Sequence, residues 1–144
     1  MTQRRRRRRG FTLVELLLVM VILAVLAALV LPKFTGRAED ANIAAAETQI
    51  NSLFKTALAM YEADNGRFPT TAQGLEALRT KPTSDPVPKK WKRPYIDGEV
   101  PKDPWGNAYI YRSPGQHNPD YDLVSMGPDG REGTEDDITN FKKN

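Results

Sequence analysis

From Phe11 to Leu31 the chain runs 21 residues with one charge, Glu15, and one hydroxyl, Thr12. As a helix rising about 1.5 Å per residue, this run is roughly 30 Å long, the thickness of a bilayer's hydrocarbon core. It is apolar all round and offers no polar face to water. From Ala38 the pattern changes. Ile43, Ile50, Leu53, Phe54, Ala57, Leu58 and Tyr61 recur at steps of three and four with polar residues between them, which predicts an amphipathic helix. Asn65-Gly66 ends it, glycine being the favoured left-handed terminator. The two stretches read as one rod of ~80 Å by helical rise. Pro32 interrupts the pattern and predicts a kink or local loosening near Leu29–Lys33.

Beyond the rod the elements shorten. Thr70-Thr71-Ala72-Gln73 reads as a capping box opening a helix from Thr71 to about Arg79. Pro82, Pro86, Pro88 and Pro94 predict a long irregular connection across 81–94. Its Lys81, Lys89, Lys90, Lys92 and Arg93 fit either a solvated loop or an anion-binding patch. Tyr95-Ile96, Ala108–Tyr111 and Tyr121–Ser125 read as short strands. Asp103-Pro104-Trp105-Gly106-Asn107 and Ser113-Pro114-Gly115 supply turns between them. Short strands against one long helix predict an α+β architecture, with no internal repeat.

Charge changes the picture at the N-terminus only. The 144 residues carry a formal +3, but six of the 21 basic residues are Arg4–Arg9, and without them 15 bases face 18 acids, a net of −3. The basic character belongs to a short leader, so nucleic-acid binding by the folded part loses its support, and no nucleic-acid partner is expected. Placed before the apolar run, the arginines put the N-terminus in the cytoplasm and the remainder outside. An ordinary secretory signal fits poorly: its apolar core is about 7–15 residues, and no A-x-A cleavage site precedes Pro32. Arg8-Arg9-Gly10-Phe11-Thr12-Leu13 only faintly matches a twin-arginine signal. With no cysteine there is no disulfide framework and no thiolate chemistry.

Glu15 is the telling residue. A carboxylate within a bilayer costs roughly 2.5–3.5 kcal/mol even on lenient insertion scales, so it implies a task and a cation. Cleavage between Gly10 and Phe11 would create an α-amine, protonated at neutral pH, four residues before Glu15. Paired between subunits, the amine of an incoming chain and the Glu15 of one already placed would fix register, as a buried polar residue does in a coiled coil.

Arg9-Gly10-Phe11-Thr12-Leu13-Val14-Glu15-Leu16 and the apolar run resemble the class III signal of type IV pilins and their relatives. The resemblance implies cutting after Gly10 by a prepilin peptidase and N-methylation of Phe11. Tyr61–Leu78, Pro94-Tyr95, Asp103-Pro104-Trp105-Gly106 and Tyr121–Gly130 sharpen it to the major pseudopilins of the type II secretion system. No cysteine pair brackets the C-terminal region, as one commonly does in type IV pilins. A type IV pilin or a minor pseudopilin is the runner-up. The implied fold is pilin-like: a long N-terminal α-helix, its first half transmembrane, its second half packed on a small antiparallel sheet, and a C-terminal calcium loop. The implied organisation is a cleaved leader at 1–10, a transmembrane and filament-core helix at 11–32, and a periplasmic domain at 33–144.

Gly127–Asp137 places five acids among three glycines. Hard cations take six to eight oxygens, and glycines let a loop turn carbonyls inward, but the spacing is not an EF-hand's. From the residues alone, a metal site and a solvated acidic turn both stand. The resemblance implies calcium, with Asp129, Asp136 and Asp137 as ligands, main-chain carbonyls at Met126 and Arg131, and Glu132 and Glu135 left to solvent. It also implies the partners: copies of the chain itself in a homopolymer, minor pseudopilins, the prepilin peptidase, an inner-membrane assembly platform and an outer-membrane secretin complex. Nothing resembles a nucleotide-binding loop, so any motor is external. His117, Asp120 and Ser125 name a catalytic triad, but they lie within nine residues, and an enzyme is the least supported class.

Overall fold

The computed structural model describes residues 10–143, with the side chains of 30–35 excepted. The chain divides into two compact units, Met1–Glu39 and Asp40–Asn144. Helix α1 spans Leu13–Thr48. It passes through Pro32 without a break in its assignment, so the proline does not end the helix. The departure from α geometry comes later, in a π-helical stretch at Gln49–Phe54 that leads into α2, Lys55–Asn65. Gly66 closes α2 in the left-handed region (φ +74°), its N–H donating to Glu62 O at 2.6 Å, as the Asn-Gly pair predicts.

The π stretch corrects one core assignment. Ile50, Phe54, Ala57, Leu58 and Tyr61 are buried, whereas Leu53 is exposed. Bonding i→i+5 puts more residues in a turn, so each side chain advances less than the ~100° of an α-helix and Leu53 swings off the buried stripe.

The capping box forms at Thr70. Gln73 N donates to Thr70 Oγ1 at 3.2 Å and Thr70 N to Gln73 Oε1 at 3.1 Å. What it opens is a turn and a 3₁₀ helix at Leu75–Leu78, in place of the longer helix expected to Arg79. The same Gln73 side chain also ties the following segment down, its amide donating to Ser84 O at 3.0 Å and Pro86 O at 3.2 Å. The connection across 81–94 is irregular as expected, and is pinned along its length by such bonds, including Trp91 Nε1 to Ala77 O at 2.9 Å.

The sheet is antiparallel, in the order β1 (Ile110–Arg112), β2 (Asp122–Ser125) and β3 (Ile138–Thr139). Tyr111 pairs with Leu123, and Ser125 with Ile138. Tyr95-Ile96 is not a strand: Tyr95 N bonds Leu78 O at 2.7 Å, and Tyr95 Oη donates to Asp64 at 3.0 Å. Its place is taken by β3, whose ladder continues through Asn140. That side chain accepts from Leu123 N at 2.8 Å and donates to Tyr121 O at 2.9 Å. The core joins α2 to the 3₁₀ helix and the sheet: Phe54 meets Tyr109 edge-on at 5.0 Å, and Tyr111 Oη donates to Pro69 O at 2.8 Å. Burial drives the Tyr109 and Tyr111 phenols well above their ordinary range.

Candidate functional site

Two places carry the residues singled out above. At the start of α1, Glu15 N donates to Thr12 O at 3.1 Å and to Thr12 Oγ1 at 3.3 Å. Thr12-x-x-Glu15 is thus the threonine half of a capping box, a local signal that the charge argument overshadowed. It sets Glu15 in the first turn, where the helix dipole favours a carboxylate. Around it Phe11, Leu13 and Val14 are 79%, 80% and 76% exposed, and large apolar side chains stay exposed to Leu29. So extended an apolar surface marks an interaction site. Among the described residues, no helix is long and apolar enough to cross a membrane. The apolar run of the sequence continues to Leu31, two residues past Leu29, its last described side chain. The leader expected at 1–10 lies, Gly10 apart, outside the described residues.

The second place is the acidic loop between β2 and β3. Its three aspartates are turned onto the loop's own backbone. Asp129 Oδ1 accepts from Arg131 N at 2.8 Å, Asp136 Oδ2 from Asp129 N at 3.2 Å, and Asp137 Oδ2 from Gly133 N at 2.7 Å. The Thr134 hydroxyl lies 2.6 Å from Asp136 Oδ1 and 3.2 Å from Arg131 O. The Thr134 hydroxyl and the Asp129 amide hold the Asp136 carboxyl below the usual carboxylate range. At Gly127, φ is +61°, and a Cβ there would meet Asp136 O at 2.5 Å; no other residue fits.

The loop suits a hard cation in kind: three carboxylates, carbonyls at Met126 and Arg131, and Asp137 Oδ1, which is buried with no hydrogen-bond partner. Among the described residues, no three acidic or imidazole side chains stand grouped as a formed metal site. Glu132 is exposed but not unpartnered. It receives both terminal nitrogens of Arg112, at 2.5 and 2.9 Å, and that pairing lowers its carboxyl. Glu135 remains exposed.

The triad residues do not meet. Ser125 Oγ, fully buried, donates to Asp103 Oδ2 at 2.8 Å, while His117 Nδ1 lies 3.1 Å from Asp122 Oδ2. Asp120 supplies only its backbone, its carbonyl accepting from Ser113 Oγ at 3.0 Å. Asp103 and Asp122 are the polar residues that periodicity missed, because their partners are turn amides rather than neighbours on a strand face. Asp122 accepts from Gln116 N at 2.7 Å, His117 N at 3.0 Å and Asn118 N at 2.9 Å.

Comparison with known proteins places the chain in a family. Residues 5–31 match the prokaryotic N-terminal methylation motif, and residues 33–141 match type II secretion system protein G. The chain is 50% identical over 135 residues to type II secretion system core protein G of Pectobacterium carotovorum subsp. carotovorum, covering 94% of this chain and 85% of that one. It is 46% identical over 140 residues to the Pseudomonas aeruginosa core protein G, covering 95% and 97%. A crystal structure of the major pseudopilin from the type 2 secretion system of enterohaemorrhagic Escherichia coli superposes with a TM-score of 0.65 at 43% identity, covering 74% of this chain and 91% of that one. With a methylation motif heading an apolar helix and a small sheet carrying the acidic loop, the chain belongs to the type II secretion system protein G family.

Proposed function

We propose that this chain is the major structural subunit of a type II secretion pseudopilus, a structural rather than a catalytic protein. The observation that carries the reading is the uncovered apolar stretch from Phe11 to Leu29, helical from Leu13, headed by Gly10-Phe11 and holding Glu15 as its one carboxylate. Residues 1–10 are removed by the prepilin peptidase and Phe11 is N-methylated. Residues 11–32 then anchor the subunit in the inner membrane, with residues 33–144 in the periplasm. An assembly platform passes the apolar helix from lipid into a filament core. That transfer gains little hydrophobic energy, so packing and the pairing of Glu15 with the Phe11 amine select the register. The growing homopolymer, started or tipped by minor pseudopilins, pushes folded exoproteins through an outer-membrane secretin.

Calcium belongs to the same reading. Asp129, Asp136 and Asp137, with the carbonyls of Met126 and Arg131, would hold it. Bound, it supplies charge that cross-links a loop with little apolar content.

The test is at the N-terminus. Mass spectrometry of protein from a host with a prepilin peptidase should find N-methyl-Phe11 as the first residue, and Gly10→Val should remain uncut. Glu15→Leu keeps the Thr12 cap and should insert at least as well as wild type, yet assemble poorly. A mature N-terminus beyond Pro32 would overturn the anchor, and normal filaments from Glu15→Leu would overturn the register role.

A further inference from the structure

Asp103 is buried in the second unit, at the head of the Asp-Pro-Trp-Gly-Asn turn. Oδ1 holds that turn by accepting from Trp105 N at 3.2 Å and Asn107 N at 2.7 Å. Oδ2 faces Ser125 Oγ at 2.8 Å, and Ser125 is wholly buried at the end of β2. Ser125 Oγ donates there, so its single hydroxyl proton is committed to Asp103. The Oγ lone pairs are left facing onward, and Gly127 N donates to them at 3.3 Å. Gly127 is the residue against which Asp136 rests, since a Cβ there would lie 2.5 Å from Asp136 O and 3.1 Å from Asp136 Oδ2. The same turn runs close to the loop again, with Asn107 Nδ2 3.7 Å from where a Cβ on Gly130 would stand.

We propose that Asp103 is a positioning residue for the acidic loop: through the Ser125 hydroxyl it fixes the amide of Gly127, the residue whose Cα side packs against Asp136, and so sets the loop's affinity for calcium. This rests on the calcium reading above. Asp103 makes no hydrogen bond to any of the named ligand residues. It acts by direction, because the carboxylate dictates which way the hydroxyl points and the hydroxyl dictates where the loop begins. Partners that orient ligands from behind commonly change metal affinity about 10–100-fold when removed.

The test uses the full mature chain in detergent micelles, titrated with calcium alone by calorimetry. Amide hydrogen exchange at Gly127 is measured separately without calcium. Ser125→Ala should weaken calcium binding by about tenfold or more and speed Gly127 exchange in the calcium-free protein. Asp103→Asn still accepts at Oδ1 but donates from its amide to Ser125 Oγ. It leaves the turn intact and should weaken calcium in the same direction, so the idea stays testable if Ser125→Ala fails to fold. Leu75→Ala, a core change remote from this chain of bonds, should lower the melting temperature with calcium affinity unchanged. If wild type binds calcium and both variants bind it equally well, Asp103 is merely structural and the proposal fails. If wild type shows protected Gly127 but no calcium binding, the calcium reading fails and takes this inference with it.

Discussion

Asp122 sits at the start of β2 with its side chain 2% exposed, and one carboxylate there replaces the solvation of three turn amides. Burial opposes its charge, but those backbone donors and the His117 ring outweigh it and hold the carboxyl below the ordinary range. The folded state therefore binds the proton less tightly than the unfolded chain. The stability it contributes is full above the unfolded value near ~3.9 and is lost as pH falls through the folded one. Urea unfolding should show a midpoint that is flat near neutrality and falls in acid. Asp122→Asn should flatten that fall, and Asp122→Ala should cost ~3 kcal/mol at neutral pH by leaving buried amides unpaired. An unchanged acid limb in Asp122→Asn would remove Asp122 from this role. At this scale the sequence was only partly legible. Tyr121–Ser125 reads correctly as strand, but all of β2 is buried, so alternation hides that Asp122 and Ser125 point at polar partners.

Among the elements, those specified by adjacent residues were legible: the Asn65-Gly66 stop, the Thr70–Gln73 box, and the proline-rich connection. Those specified at a distance were not. Ile138-Thr139 is too short to show alternation, and becomes β3 only because Asn140 imitates a strand residue opposite Leu123. The acidic loop was legible as a candidate from its composition, while the Arg112–Glu132 pair was invisible until β1 and the loop came together. For the mature chain in detergent, calcium should raise the melting temperature, and magnesium should do so less because it demands a tighter octahedron. Asp137→Ala should abolish the increment, since its buried oxygen has no other partner. Glu132→Ala should keep most of the increment, and its lost pair, partly exposed, should cost at most ~1 kcal/mol. Equal responses from the two variants would make the loop an ordinary acidic turn.

At the scale of the whole molecule, the apolar helix and the small α+β unit are built on different patterns, and the sequence announces that division at about Ala38. The stretch from Phe11 to Leu29 exposes large apolar side chains, which one chain in water cannot sustain. A bilayer and a core of identical helices both can. The central claim, that the chain is a self-assembling major subunit, is tested most directly by electron microscopy of filaments sheared from cells overproducing it with its assembly machinery, with the composition read by mass spectrometry. The account expects long filaments built overwhelmingly of this chain, each copy beginning at N-methyl-Phe11. Filaments in which it is a trace component, or abundant processed protein that never leaves the membrane, would contradict it.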